Sequence, residues 1–201
     1  MRISHRQLTA CLEDPTAWLQ RSRAGTVLRW SYAYATEVAI YRFHQANYRA
    51  AALRHLAETF AQRGMTSIER QHLAEERLLQ YIGWLRAEQP IFAMVRMQVD
   101  LDLGHGWRLG GLVSRVDHDL ESEGYRAVLF GDAGADWDEE LRMPLLQRAV
   151  ASRVHRPEHE VSVGVQGLDG NDLETVVYLA PDIDEALRVA RDLARRLSRL
   201  V

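Results

Sequence analysis

Apolar residues recur at helical spacing up to Pro90 and largely alternate with polar ones beyond it. In the first part, Leu8, Cys11, Leu12, Trp18 and Leu19 trace a stripe over residues 4 to about 21. Pro15, following Asp14, interrupts that stripe, so the pattern predicts two short helices around a turn. One long helix is expected from about residue 31 to residue 63, stopped by Gly64, a favoured residue just past a helix end. Thr66-Ser-Ile-Glu69 has the form of a capping box, opening a helix expected to run to Gln89 and to stop before Pro90.

Beyond Pro90, residues 92–103, 106–117 and 125–130 carry the pattern of strands, with turns at Gly104-His-Gly106 and Glu121-Ser-Glu-Gly124. A helix is expected over 138–154, a strand on Val161, Val163 and Val165, and another over 174–179. The closing helix is expected to start at Asp182-Ile-Asp-Glu185 and to bury Ile183, Leu187, Ala190, Ala194 and Leu197. The order predicts one α/β domain over residues 1–201, with a helical front over 1–90 and a sheet-containing core over 91–201. The continuous apolar run Ala127-Val-Leu-Phe130 reads as a central strand covered on both faces, with Leu129 buried.

Composition narrows the function. Hydrophobic residues at 47% and charged residues at 26% of 201 suit a chain that buries a core, and no apolar run is long enough to span a membrane. The first twenty residues carry charges and no apolar signal region, so the expected location is cytoplasmic. Cys11, the single cysteine, supports neither an intrachain disulfide nor a cysteine-based metal site. All 25 basic residues are Arg, which excludes any Lys-dependent step. The net charge of −3 hides an asymmetry: residues 1–64 hold nine Arg against four acids, so a polyanion is expected to meet the front.

Generic catalytic signatures are missing: no G-x-S-x-G, H-E-x-x-H, Walker loop or G-x-G-x-x-G. Gly104, Gly106, Gly110 and Gly111 read as turn and strand glycines, and the five Trp as core or lid residues. His155 and His159 flank Arg156-Pro157-Glu158, which reads as a loop, and His118 between Asp117 and Asp119 makes a carboxylate-rich corner that reads as a solvated turn.

The ordered set of segments resembles RecB-like nucleases of the PD-(D/E)XK superfamily. Ile3-Ser-His-Arg-Gln-Leu8, then Leu12-Glu-Asp-Pro15 and Trp18-Leu19, resembles the start of that family. The helix bearing Thr36 is similar to its Gly-Thr-x-x-His helix, and Arg108-Leu-Gly-Gly111-Leu-Val-Ser-Arg115-Val-Asp117 to its Gly-x-Ile-Asp-Arg-Val-Asp strand. Tyr125-Arg-Ala-Val-Leu-Phe-Gly131 occupies the place of the Asp-x-Lys strand, and Glu140-Leu-Arg-Met-Pro-Leu145 that of the helix that follows. The resemblance implies a restriction-endonuclease-like α/β fold, a mixed central sheet flanked by helices with an N-terminal helical extension. It also implies hydrolysis of DNA by carboxylate-held Mg²⁺ or Mn²⁺.

The departures imply lost chemistry. The family's metal-binding Asp falls on Ser114, its second Asp on Leu129, its Lys on Gly131 and its helical His on Ala39. The Gln and Tyr of the next helix fall on Arg142 and Leu146, and the cysteine that ligates iron–sulfur in some relatives on Asp14. Asp117 and Asp132 are the candidates for a displaced metal site, although alternation puts Asp117 on the opposite face of its strand from Ser114. The expectation is a nuclease fold without catalysis or cofactor, acting with a protein partner in DNA repair, recombination or defence against foreign DNA. The rivals are an active Mg²⁺- or Mn²⁺-dependent DNase using the displaced carboxylates, and a module that binds protein alone. Weak DNA binding is expected at Arg21, Arg23, Arg29, Trp30, Arg42 and Arg49, where guanidinium groups meet phosphate and the indole stacks on a base.

Overall fold

The structure is a computed structural model that describes residues 1–24, 30–131, 136–169 and 172–201. Its helices start and stop on local chemistry. Helices α1 (Leu8–Glu13) and α2 (Pro15–Arg23) meet at Asp14, whose carboxylate accepts from the Ala17 N–H at 2.9 Å. Pro15 takes the first position of α2, where no N–H is needed. The stretch expected as one long helix is two, α3 (Tyr32–Ala46) and α4 (Arg49–Gln62). Asn47 ends α3 in the left-handed region at φ 47, a conformation Asn adopts at little cost. The apolar stripe resumes beyond it, so spacing alone does not reveal the break.

Helix α5 (Ile68–Glu88) follows Ser67, which makes no side-chain cap, so the expected capping box does not form; Gln89 at φ 47 ends the helix before Pro90. Residues 137–139 form a 3₁₀ turn, and α6 (Arg142–Val154) starts four residues later than expected. A helix begun at 138 would carry Pro144 in its interior, whereas from Arg142 the proline lies in the first turn. Helix α7 (Ala180–Ser198) starts before Asp182, with Pro181 in its first turn and the Leu179 N–H donating to the Asp182 carboxylate at 3.2 Å.

The described strands form one mixed sheet: β1 (Arg2–Ser4), β2 (Ile91–Gly104), β3 (Trp107–Asp119), β4 (Gly124–Phe130), β5 (Val161–Gln166) and β6 (Leu173–Val176). Strands β2, β3 and β4 are an antiparallel meander, α6 crosses over to β5, which runs parallel to β4, and β6 closes the far edge antiparallel. One correction concerns the front. Arg2–Ser4 is a strand parallel to β3, not part of a purely helical extension. Three residues are too short to carry a period, and only Ile3 of the three is buried.

Both faces of the sheet are covered, unequally. Helices α3, α4 and α5 pack on Val128 and Phe130, while α6 packs over Val116, Ala127 and Leu129 on the other face. Helices α1, α2 and α7 enclose a further apolar cluster around Ile3, Leu103, Trp107 and Leu109. Strand β4 thus lies between β3 and β5 with both faces covered, and Leu129 is buried as expected. The α3–α5 layer leaves part of its own face open near β1, where Arg2 and Gln98 are exposed.

Candidate functional site

Strand β3 has two edges, and β2 occupies one of them from Trp107 to His118. Strands β1 and β4 therefore share the other: β1 pairs with Arg108, Leu109 and Gly110, and β4 with residues from Arg115 onward. Between them lies a gap over residues 111–114. Side chains fill part of it. The Leu112 carbonyl accepts from His5 Nε2 at 3.2 Å, and the Phe130 N–H donates to the Ser114 hydroxyl at 2.9 Å. Because a carbonyl only accepts, Nε2 carries the proton and His5 Nδ1 is bare and buried without a partner. Burial first, then the Arg142 charge, lowers the His5 pKa to about 4.

A carboxylate reaches into the gap from α3. Glu37, 5% exposed, accepts from the Ser114 hydroxyl at 3.1 Å, from the Tyr41 hydroxyl at 2.5 Å and from Arg6 Nη2 at 3.0 Å on each oxygen. Burial and the Glu37 charge push the Tyr41 phenol far up, so it remains a donor. Glu37 is not among the residues that the sequence motifs single out, although an acid set among Ala35, Val38, Ala39 and Ile40 marks a carboxylate that a helix turns inward.

The next residue along β3 anchors a second cluster. Arg115 is fully buried; its Nε donates to both Asp117 oxygens at 2.9 and 2.8 Å, and its Nη1 to Gln166 and to the Tyr81 hydroxyl. The guanidinium lies 4.5 Å from the Trp84 ring, with Tyr81, Phe92 and Phe130 around it. The Tyr81 oxygen accepts from Arg115 and its proton is free to donate to Nε2 of His44, 2.8 Å away. Burial, then the Arg115 charge, lowers the His44 pKa to about 4, so the ring is neutral. Burial raises the Asp117 pKa and Arg115 opposes the rise.

Simple alternation fails at this point, which corrects the position of Asp117. Val113 and Val116 both pack beneath α6 although they are three residues apart. Across the ladder, Val95 packs under α3–α5 and Met97 under α6 although they are two apart. Arg96, between them, has φ 57. The reversal turns Ser114 towards α3 and leaves Arg115 and Asp117 on that same side of the sheet. Leu129 goes the other way, into the core under α6, so the two positions that the resemblance assigns to metal-binding acids do not converge.

The donor set does not fit a hard dication. Around Ser114 the one carboxylate is already held by Arg6, and Asp117 gives both oxygens to Arg115. Asp132 lies outside the described residues, and Gly131 donates its N–H to the Gln166 carbonyl. The carboxylate-rich corner disperses: His118 lies against Tyr125, and Asp119 pairs with Arg126 at 3.2 Å. Among the described residues, no three His, Cys, Asp or Glu side chains are grouped to hold a metal ion.

The arginine-rich front is divided as well. Arg21 and Arg23 sit on α2, beside α7, whereas Trp30, Arg42 and Arg49 belong to the α3–α4 region; Arg29 lies outside the described residues. Arg63 lies 4.6 Å over the Trp30 ring and the tilted Tyr34 ring is 4.9 Å from it, so that indole already has partners within the protein. Among the described residues, no helix is long and apolar enough to cross a membrane. No protein-family model and no curated protein matches the chain.

Proposed function

We propose that the chain is a restriction-endonuclease-like domain of the PD-(D/E)XK kind that has lost phosphodiester hydrolysis. It serves as a binding or scaffolding subunit, with a protein partner, in DNA repair, recombination or defence against foreign DNA. The meander, the α6 crossover and the parallel β4–β5 pair support the fold part of this reading. One observation carries the functional part. At the gap in β3, a single carboxylate, Glu37, faces neutral Ser114 and a guanidinium, while Leu129 packs away from it. Hydrolysis in this class needs several oxygen ligands around a dication, and one carboxylate already paired with Arg6 leaves too few. The displaced-site alternative would have to take Asp117 from a buried Arg115, leaving that cation without its counter-charge.

The test is incubation of the purified protein with labelled single- and double-stranded DNA in Mg²⁺ and in Mn²⁺. The expected result is intact DNA in all four reactions. Cleavage that survives re-purification of the protein and disappears in Glu37→Gln overturns the reading.

A further inference from the structure

The open part of the α3–α5 face is a groove of about 580 Å³ beside the gap in β3, floored by Gly110, Gly111 and Leu112. Arg2 and Arg96 line it, with Gln98 between them and Ser4 and Gln7 at the side. Neither arginine pairs with a carboxylate among the described residues, unlike Arg108, Arg126 and Arg148. What sets them apart is that both are also held in place by neutral groups. Arg2 Nη2 donates to the Val99 carbonyl at 3.2 Å, and the Gln98 amide oxygen, turned towards it, accepts from Nη1 and Nη2 at 2.9 Å each. Arg96 projects from a backbone in the left-handed region and lies 5.4 Å over the Tyr41 ring.

The floor is built for this arrangement. A Cβ on Gly110 would overlap the Arg2 guanidinium, so glycine there lets the cation lie flat on the sheet. Asp100, two residues beyond Gln98 on the same strand, is neutralised by Arg108 at 2.9 Å. The groove therefore holds two guanidinium groups that are oriented without being neutralised, beside amide and hydroxyl groups. Its volume is within the range of small-molecule and nucleotide sites. Strained backbone of the kind seen at Arg96 persists where the surroundings hold it and clusters at binding sites.

We propose that this groove binds phosphoryl oxygens, the Arg2 and Arg96 guanidinium groups pairing with one or two adjacent phosphates. The planar N–H forks of Arg match phosphate geometry, and a singly charged diester or a diphosphate supplies the missing negative charge. The choice of phosphate over carboxylate rests on the nucleic-acid reading above. It moves the expected contact from Arg21 and Arg23 on α2 to the open face beside β1. The same chemistry comes from a nucleic-acid strand or from a small diphosphate, and the experiment separates them.

The probes are a labelled twelve-nucleotide oligothymidylate, inorganic pyrophosphate as competitor, and polyglutamate as a polyanion without phosphorus, all at low salt with the full chain. Arg2→Ala and Arg96→Ala should each weaken oligonucleotide binding by about fivefold. Each should also flatten the slope of log affinity against log salt by about 0.7. Gly110→Ala keeps the charge but dislodges the Arg2 side chain, whose far end is flexible, and should weaken binding to a similar extent. Arg153→Ala, which removes one exposed charge from the end of α6, should leave affinity unchanged. Melting temperatures of all four variants check that each is folded.

Pyrophosphate binding that is lost in the same variants, without any oligonucleotide binding, supports the groove and removes the nucleic-acid reading. Oligonucleotide binding that is untouched in Arg2→Ala, Arg96→Ala and Gly110→Ala, or lost only in an Arg21→Ala, Arg23→Ala pair, overturns the groove and leaves nucleic-acid binding standing. No binding of either phosphate probe overturns it too, as does polyglutamate binding as tight as the oligonucleotide's.

Discussion

Ser114 and Arg115 are neighbours on one strand, yet they anchor polar clusters of opposite character. The Ser114 cluster is built around Glu37 and reaches solvent through Arg6, whose side chain is 44% exposed. The Arg115 cluster is sealed: Arg115 is 0% and Asp117 2% exposed, and an aromatic cage closes over the guanidinium. In the first, the cation can leave its carboxylate for water, so the pair can open and reform. In the second neither charge has anywhere to go, and the pair holds β3, β5 and α5 together. A buried ion pair with no route to solvent is part of the frame, while one with a partly exposed partner next to a basic groove can take part in binding.

The largest expected effect falls on the sealed cluster. Asp117→Asn leaves a fully buried guanidinium without its counter-charge and should cost about 3–5 kcal/mol in urea unfolding. Replacing both partners, Arg115→Met with Asp117→Leu, removes the unpaired charge and should recover much of that loss. A loss below about 1 kcal/mol in Asp117→Asn would mean that Arg115 finds other compensation, and the contrast between the clusters would fail.

Acid should weaken both clusters, because each contains a histidine held neutral: His5 in the gap and His44 beside Tyr81. Burial lowers both pKa values from 6.5 to about 4, so as pH falls below 6.5 the unfolded chain takes protons before the folded one. Stability contributed by the neutral rings is complete above that pH, is lost between pH 6.5 and 4, and levels off below. Each ring accounts for at most about 3 kcal/mol. Asp117 works in the opposite direction, since its raised pKa favours proton uptake by the folded chain. Denaturation midpoints measured across this window for the wild type, His5→Gln and His44→Gln should show a shallower pH dependence in each variant. Parallel curves would show that the rings are not the source.

Strands β2 to β5, the short helical pair at Pro15 and the apolar stripe of α7 were legible because periodicity reports which face is buried, whereas the last strand ends at Val176, short of the expected residue 179. The gap was not, for two reasons. It depends on which edge of β3 each strand takes, a long-range choice that three residues of β1 cannot signal. It also depends on the face reversal at Arg96 and Ser114, where a non-glycine residue adopts a positive φ that no local pattern announces. The split at Asn47 escaped for a related reason, because the stripe continues on both sides of it. The acids that stood out by their neighbours, Asp117 and Asp119, are ion-pair partners, and the carboxylate at the gap comes from a helix read only for its threonine.

The smallest effect is expected at the open cluster, and it is the sharpest test of the contrast. In Glu37→Gln the amide oxygen can still accept from Ser114 and Tyr41, but the charged contact of Arg6 Nη2 with both carboxylate oxygens is lost. Arg6, already partly exposed, can turn into solvent, so the loss should be about 1–2 kcal/mol, that of a charge-assisted hydrogen bond and not of a stranded ion. The freed Arg6 also adds a cation near the groove, since Gln7 next to it lines that surface. Affinity for the oligonucleotide should therefore hold or rise in Glu37→Gln while stability falls slightly. The measurement is urea unfolding and oligonucleotide titration on the same preparation. A loss as large as that of Asp117→Asn would show that the Glu37 cluster is as much a part of the frame as the sealed one.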